Sequence, residues 1–348
     1  MKKYKFLKKL WLHSVRLYIQ IGLFFYYKNI SLIGKETIPK DQPVLFLGNH
    51  QNALLDALLI ATKSGRFCYY LTRAAVFKKP LVSKLLQSLN MLPVYRVRDG
   101  WSTIAKNKSV FSTSVGLLHD NQAITVFPEG SHSLVRRVRP LSKGFTRIVL
   151  ELREKHPNTA VNLIPVGFNY QEAKQMGSCV ALVFGQPIVS SDYNQLNTIE
   201  ATKQIKEDVF NAMSKLTTQI PEEKYDIVLQ KLTERQVDFT DPKTVNRCIA
   251  SNFEECSSQP LKTGVFKGVL KPVVYAILCL PILVWKKVLK PKIKEEEFES
   301  TFRFAVCLTL VPFWMLLLFC ITISSFGLVS GLVGLISSLL LFLVYNKA

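Results

Sequence analysis

The chain has 348 residues, 45 of them lysine or arginine against 25 acidic ones, giving a formal charge of +20, while 48% of its residues are hydrophobic. Basic soluble proteins that bind nucleic acid are rarely so apolar, and none of their signatures is present, so a nucleic-acid partner is disfavoured and an anionic membrane surface fits better. Seven scattered cysteines with no C-x-x-C pair imply neither a disulfide framework nor a zinc site, and place the soluble part in a reducing compartment.

Residues 1–33 open with Lys2, Lys3, Lys5, Lys8 and Lys9. Read as a helix, Lys9, His13, Arg16 and Gln20 form a narrow polar stripe, with Leu7, Leu10, Trp11, Val15, Tyr18, Ile21 and Phe25 away from it. No small-residue cleavage site follows, so the spacing predicts an uncleaved basic helix lying in or on a membrane, or packed on the domain behind it. His13 falls in the stripe and reads as a solvated residue.

From Gly34 to about Pro187, short β-branched or aromatic runs alternate with helical stretches, an α/β pattern that predicts a mixed or parallel sheet covered by helices. The strand-like runs are 44–47, 67–71, 92–95, 124–127, 161–166 and 180–184, and helical stretches fall at 53–62, 80–89, 108–119 and 144–153. In such folds ligands bind at the carboxyl ends of the strands.

Three stretches at predicted strand ends carry chemistry. Val44-Leu45-Phe46-Leu47-Gly48 runs into Asn49-His50, and Asp56 lies about one and a half helical turns further on, within reach of the imidazole. A carboxylate on the far ring nitrogen fixes the tautomer of a histidine and stabilises its imidazolium, which makes His50 a candidate general base and Asp56 its orienting acid. Arg96 and Arg98 follow the run ending at Tyr95, with Arg73 upstream; guanidinium forks suit phosphate, and solvated edge residues would look the same. Phe127-Pro128-Glu129-Gly130-Ser131-His132 ends another strand, with Arg136, Arg137 and Arg139 beyond, where glycine lets backbone approach a ligand. His132 beside Ser131 invites a nucleophile reading, set aside because no partner acid is apparent. His119 and His156 read as surface residues.

Taken in order, these stretches resemble the glycerolipid acyltransferase superfamily, whose members acylate glycerol phosphate and lysophosphatidic acid. Asn49-His50 with Asp56 resembles its histidine–aspartate block, Arg73, Phe77, Pro80 and Arg96 its second block, Phe127-Pro128-Glu129-Gly130-Ser131 its third, and Ile164-Pro165-Val166-Gly167 its fourth. The family usually leaves four residues between histidine and aspartate, whereas five stand between His50 and Asp56. The longer spacing, with Asn52 two after the histidine and Gly130-Ser131-His132 later, is similar to the eukaryotic glycerol-3-phosphate acyltransferase subgroup of the endoplasmic reticulum.

The resemblance implies that His50 and Asp56 are catalytic and that Arg73, Arg96, Arg98, Glu129, Gly130 and Ser131 bind the acceptor. It implies acyl-CoA or acyl carrier protein as co-substrate, with no further cofactor and no metal. Glycerol 3-phosphate and its 1-acyl derivative both stay open as acceptors, as do lysophospholipid remodelling and a non-catalytic lipid-binding module. The lack of a G-x-S-x-G elbow agrees with direct attack by the acceptor hydroxyl.

Past Pro187, Asn197–Leu216 and Pro221–Leu232 read as packed amphipathic helices. Residues 304–345 hold no charged residue, are long enough for two spans and break near Ser324-Ser325-Phe326-Gly327, which predicts a transmembrane helical hairpin. Gly327, Gly331 and Gly334 would let its helices approach closely. Val269–Trp285 is shorter, holds Pro272 and Pro281, and reads as a kinked span, a re-entrant segment or an interfacial helix. The expected organisation is a membrane-associated helix (1–33), an acyltransferase domain (34–235), a basic linker (236–303) and the hairpin (304–348). Lysine and arginine at both ends of the hairpin place the catalytic domain on the cytoplasmic face.

Overall fold

The computed structural model describes residues 2–95, 105, 107–257 and 265–347. Helix α1 (Lys2–Tyr26) leads into strand β1 (Asn29–Ile33), and β2 (Val44–Gly48) is followed by α2 (Ala53–Lys63). Then come β3 (Cys68–Arg73), α3 (Pro80–Ser88), β4 (Met91–Val94), α4 (Asn107–His119), β5 (Ala123–Val126) and α5 (Gly144–Lys155). Strands β6 (Asn162–Tyr170), β7 (Cys179–Phe184) and β8 (Ile188–Val189) complete one mixed sheet, in the order β1-β7-β6-β2-β5-β3-β4 with β8 on β6.

All described pairings from β6 to β4 along this path are parallel, as is β1 with β7; β7 and β8 run antiparallel to β6. The carboxyl ends of β2, β5, β3 and β4 therefore share one edge, and the chemistry-bearing stretches leave the sheet side by side there. Alternation does the rest: Val44 and Phe46 of β2 join one core cluster with Ile164, Val166, Phe168 and Tyr170 of β6, while Leu45, Leu47 and Leu163 join the other. The first face is covered by α1, α2 and α11 (Glu299–Leu308), the second by α4, α5 and α6 (Thr198–Lys215). Each fully buried Leu or Phe contributes about 1.5–3 kcal/mol relative to exposure.

Several expectations need correction. The N-terminal helix ends at Tyr26, and residues 29–33 belong to the sheet as its edge strand, because Ile30 and Leu32 pack on the core when β1 pairs with β7. The polar stripe of α1 is divided: Gln20, whose Nε2 donates to Thr62 O at 3.0 Å, and Arg16, over the Phe67 ring, are half-buried against the domain, while Lys9 and His13 stay exposed, the His13 ring edge-on to Phe67. Leu7, Leu10, Leu17, Ile21 and Phe24 are left exposed. Beyond α7 (Tyr225–Glu234), Cys248 in α8 (Pro242–Ala250) is disulfide-bonded to Cys256, against the expectation of free thiols; the loop after α8 turns back on the helix end, with Phe253 N donating to Cys248 O.

The C-terminal region builds a second layer on α1. Helices α9 (Val265–Ile277) and α10 (Cys279–Leu283) are separated by a sharp bend, 95° between segments Lys267–Ile277 and Cys279–Lys292. Pro281 has no N–H to return to Ile277 O, and the Trp314 indole takes that carbonyl instead at 2.7 Å. Helix α12 (Leu310–Lys347) departs from helical geometry at Gly327, with φ 82° and ψ 169°. Its two halves fold against each other: Val311 and Met315 line one cavity with Ser338, Leu339 and Phe342. A Cβ on Gly331 would lie 2.6 Å from Ile323, whereas one on Gly334 would meet nothing within 4 Å. The chain end returns to α1, where Asn346 Nδ2 donates to Phe25 O at 2.8 Å.

Candidate active site

The site begins with an ordinary apolar strand. Val44 to Leu47 are wholly buried, and beyond Gly48 the chain must leave the sheet. Asn49 anchors the exit to the neighbouring strand: its side chain accepts from Phe168 N at 2.7 Å and donates to Phe168 O at 3.1 Å. Helix α2 then starts through Ala53, whose φ of 40° is a strained value for a residue with a Cβ. This tight entry brings Asp56, on the buried face of α2 with Leu55, Leu59 and Ile60, back beneath the loop.

His50 Nδ1 and Asp56 Oδ2 are 2.8 Å apart, with the Asp56 side chain fully buried. The same oxygen accepts from Asn52 N at 2.8 Å, and Asp56 Oδ1 accepts from the Tyr170 hydroxyl at 2.6 Å. A carboxylate can only accept, so Nδ1 carries the imidazole proton and Nε2 is left with its lone pair. The His50 ring stacks on Phe127 at 3.9 Å with 10° between planes, which fixes the plane in which that lone pair lies. An oriented neutral imidazole of this kind can accept a proton from a hydroxyl.

The loop after β5 is sewn to the histidine loop by backbone contacts. Ser133 N donates to His50 O at 2.9 Å, and Gln51 Nε2 donates to Val135 O at 3.0 Å. Gly130 takes φ 75°, where a Cβ would be strained. Glu129 is almost fully buried and binds Arg139: Nη2 donates to Oε2 at 2.6 Å, Nε to Oε2 at 3.0 Å, and the Arg139 backbone N to Oε1 at 3.2 Å. Arg139 Nη1 also donates to Ser131 Oγ at 2.8 Å. Burial pushes the Glu129 carboxyl above its usual range, and the Arg139 guanidinium pulls it part of the way back.

The sequence could not sort the arginines of this loop, and the fold does. Arg136 donates to the carbonyls of Tyr170 and Gln171 at 2.7 and 2.8 Å and so caps the end of β6. Arg137 pairs with the exposed Glu222. Arg139 alone of the three is tied into the Glu129–Ser131 turn. Arg73 ends β3, two strands from β2 across the sheet, so its strand end lies on the same edge. Arg96 and Arg98 lie outside the described residues.

His132 does find a partner acid, which sequence reasoning missed because it is 163 positions away: Nε2 lies 2.8 Å from Glu295 Oε2. Glu297 is close by, with one ligand atom from each of the three residues within 4.8 Å of the others. Ser131 Oγ is bound by Arg139 rather than by His132, which leaves no serine–histidine couple. Tyr170, Phe127 and Arg139 were the further residues not assigned a role from sequence. Arg139 was visible as a cation, but Tyr170 had no local signal.

Residues 29–169 match the family model described as Acyltransferase. An uncharacterised acyltransferase of Schizosaccharomyces pombe is 27% identical over 148 residues, covering 39% of this chain and 22% of that protein. Glycerol-3-phosphate O-acyltransferase 1 of Saccharomyces cerevisiae is 23% identical over 168 residues, covering 44% and 22% respectively. The 1-acyl-sn-glycerol-3-phosphate acyltransferase of Borreliella burgdorferi is 25% identical over 152 residues, covering 44% and 56%. The match thus spans between about a fifth and just over half the length of these relatives. Among solved structures, the lysophosphatidic acid acyltransferase PlsC of Thermotoga maritima aligns with a TM-score of 0.43 and 19% identity, over 62% of this chain and 83% of that one.

Proposed function

We propose that the chain, whose residues 29–169 match the Acyltransferase family model, transfers a fatty acyl group from an acyl thioester to the hydroxyl of 1-acylglycerol 3-phosphate or glycerol 3-phosphate, as its relatives' names suggest. The observation that carries this reading is the His50–Asp56 pair, 2.8 Å apart, with a buried carboxylate. His50 Nε2 takes the proton of the acceptor hydroxyl as its oxygen attacks the thioester carbonyl. The tetrahedral oxyanion then collapses and expels the thiolate, which receives the proton from the imidazolium. Ester bond and free thiol are the products, and no covalent enzyme intermediate forms.

The acceptor phosphate is assigned to the cationic side of this edge, with Arg139 held by Glu129 and Ser131, Gly130 in the turn, and Arg73 at the end of β3. Arg96 and Arg98 complete the proposed set. The donor is acyl-CoA or acyl carrier protein, and no further cofactor enters the scheme.

We place the enzyme in a membrane. Each half of α12 has a length of roughly 25–30 Å at 1.5 Å per residue, close to the hydrocarbon thickness of a bilayer. The exposed apolar side of α1 lies against its surface. Basic residues at both ends of the hairpin favour the cytoplasmic face.

The test is acyl transfer by purified, detergent-solubilised protein to glycerol 3-phosphate, lysophosphatidic acid and neutral lysolipids, with His50→Ala alongside. Transfer to a phosphate acceptor that the variant loses is the expected result. No transfer with either donor class, or equal transfer by His50→Ala, would overturn the proposal in favour of a lipid-binding module.

A further inference from the structure

Asp56 is fully buried, so both of its oxygens depend on donors from the protein. Oδ2 is fully committed, taking the His50 imidazole N–H and the Asn52 backbone N–H, each at 2.8 Å. Oδ1 belongs to a side chain buried on α2 beside Leu55 and Leu59, which are members of the same core cluster as Phe168 and Tyr170. An ionised oxygen left bare there would carry a large desolvation cost, and the carboxylate plane, whose terminal torsion is intrinsically loose, would have nothing to hold it. The donor that meets Oδ1 is the Tyr170 hydroxyl at 2.6 Å, 114 positions away in sequence.

Tyr170 is itself well placed to hold still. It is the last residue of β6 on the same face as Ile164, Val166 and Phe168, and its backbone pairs with Val180 of β7. Its carbonyl accepts from the half-buried Arg136, and its ring lies 6.3 Å from that of Tyr27, just past the end of α1. The ring is fully buried, so the hydroxyl has no competing bulk water. Burial and the adjacent Asp56 charge raise the phenol well above its usual pKa, which keeps the proton available to donate.

We propose that Tyr170 is a positioning residue of the reaction: by donating to Asp56 Oδ1 it fixes the carboxylate plane that orients His50 and sets how strongly that carboxylate stabilises the imidazolium. This rests on His50 acting as the general base. Tyr170 touches neither substrate nor the reacting atoms, and acts only through Asp56. Losing the hydroxyl leaves Asp56 with one donor fewer, hence more charge for the imidazolium and a looser grip on the ring. The first effect changes the pH dependence of the reaction, and the second slows turnover.

Tyr170→Phe removes the donor and keeps the ring. The expected result in the full-length, detergent-solubilised enzyme is a kcat about tenfold lower, corresponding to one hydrogen bond to a charged group. The acceptor KM should stay within about twofold, as expected when only a transition-state contribution is lost. The acid limb of the kcat/KM profile should move to higher pH. A ring-fluorinated tyrosine at position 170, a stronger donor of the same shape, should move that limb to lower pH, and this arm survives even if Tyr170→Phe fails to fold. Unchanged kcat and pH limb in both variants, or a raised KM with normal kcat, would overturn the proposal. His50→Ala separates the two readings: if it keeps full transfer, the general-base assignment has failed, whereas lost transfer with silent Tyr170 variants sinks the tyrosine role alone.

Discussion

Both carboxylate oxygens of Glu129 are engaged by Arg139, ten residues further along the same loop, and the Glu129 side chain retains only 2% of its exposure. In the proposed acceptor site Glu129 would therefore act through Arg139 rather than by direct contact, since a buried acceptor-only group has nothing to offer an anionic phosphate. Glu129→Gln and Arg139→Ala are each expected to raise the acceptor KM by about tenfold, the scale of one charge-assisted bond. The double variant should be little worse than either single one, as residues acting as one unit are non-additive. Initial-rate kinetics over the acceptor concentration range checks this; fully additive losses would separate the two side chains.

The raised Glu129 pKa makes a pH prediction with two opposite signs. Its carboxyl takes a proton in the folded state at a pH where an ordinary glutamate is still ionised. As pH falls into the window just above the usual carboxylate range, the grip on Arg139 weakens and the acceptor KM rises. Stability moves the other way: a group with its folded pKa raised contributes its stabilisation below the unfolded value and loses it as pH rises through the folded value. Glu129→Gln should flatten both trends in that window, read by KM and by thermal unfolding across the same buffers.

Gly48 guards the ring that orients His50. A Cβ there would lie 2.7 Å from the Phe168 ring and 3.5 Å from that of Phe127, on which the imidazole stacks. Gly48→Ala should lower kcat by about tenfold or more through a displaced imidazole, with a stability loss of about 1–3 kcal/mol from overpacking. Turnover and thermal unfolding measured together test it; unchanged kcat with a lowered Tm would mean that Phe168 alone absorbs the methyl.

Gly331 and Gly334 of the hairpin should behave differently. Gly331→Leu pushes against Ile323 and Phe319 and is expected to destabilise the hairpin by about 1–3 kcal/mol. Gly334→Leu, which meets nothing within 4 Å, should stay within about 0.5 kcal/mol of the parent. Thermal unfolding in one detergent distinguishes them, and equal losses would show that helical propensity rather than close approach governs the site.

Much of the site was legible because its signals are local. A charged Asp56 in the apolar stripe Leu55, Leu59 and Ile60 of a helix that follows a strand ending in histidine marks itself within a dozen residues. The break at Gly327 was equally plain, an uncharged stretch interrupted by small residues. The polar stripe of α1 was also visible, yet its direction was not: periodicity says that residues share a face, never what that face meets. Only the docking of α1 on Phe67 and Thr62 turned Arg16 and Gln20 of that stripe toward the domain and left Leu7, Leu10, Leu17, Ile21 and Phe24 exposed.

What the sequence by itself determined was the alternation of strands and helices, the edge at which His50, Asp56 and the Glu129 turn gather, and the apolar hairpin at the chain end. These follow from hydrophobic period, turn chemistry and charge, which act over one or two turns of chain. The tertiary structure alone decided that Tyr170 completes Asp56, that Arg139 rather than Arg136 or Arg137 joins Glu129, and that Glu295 reaches His132. The first two are selected by strand order and by the burial of a carboxylate that must find donors; the third, with Glu295 largely exposed, follows from the packing of the C-terminal region beside the site. At separations of 114 and 163 positions, no local pattern records such a choice.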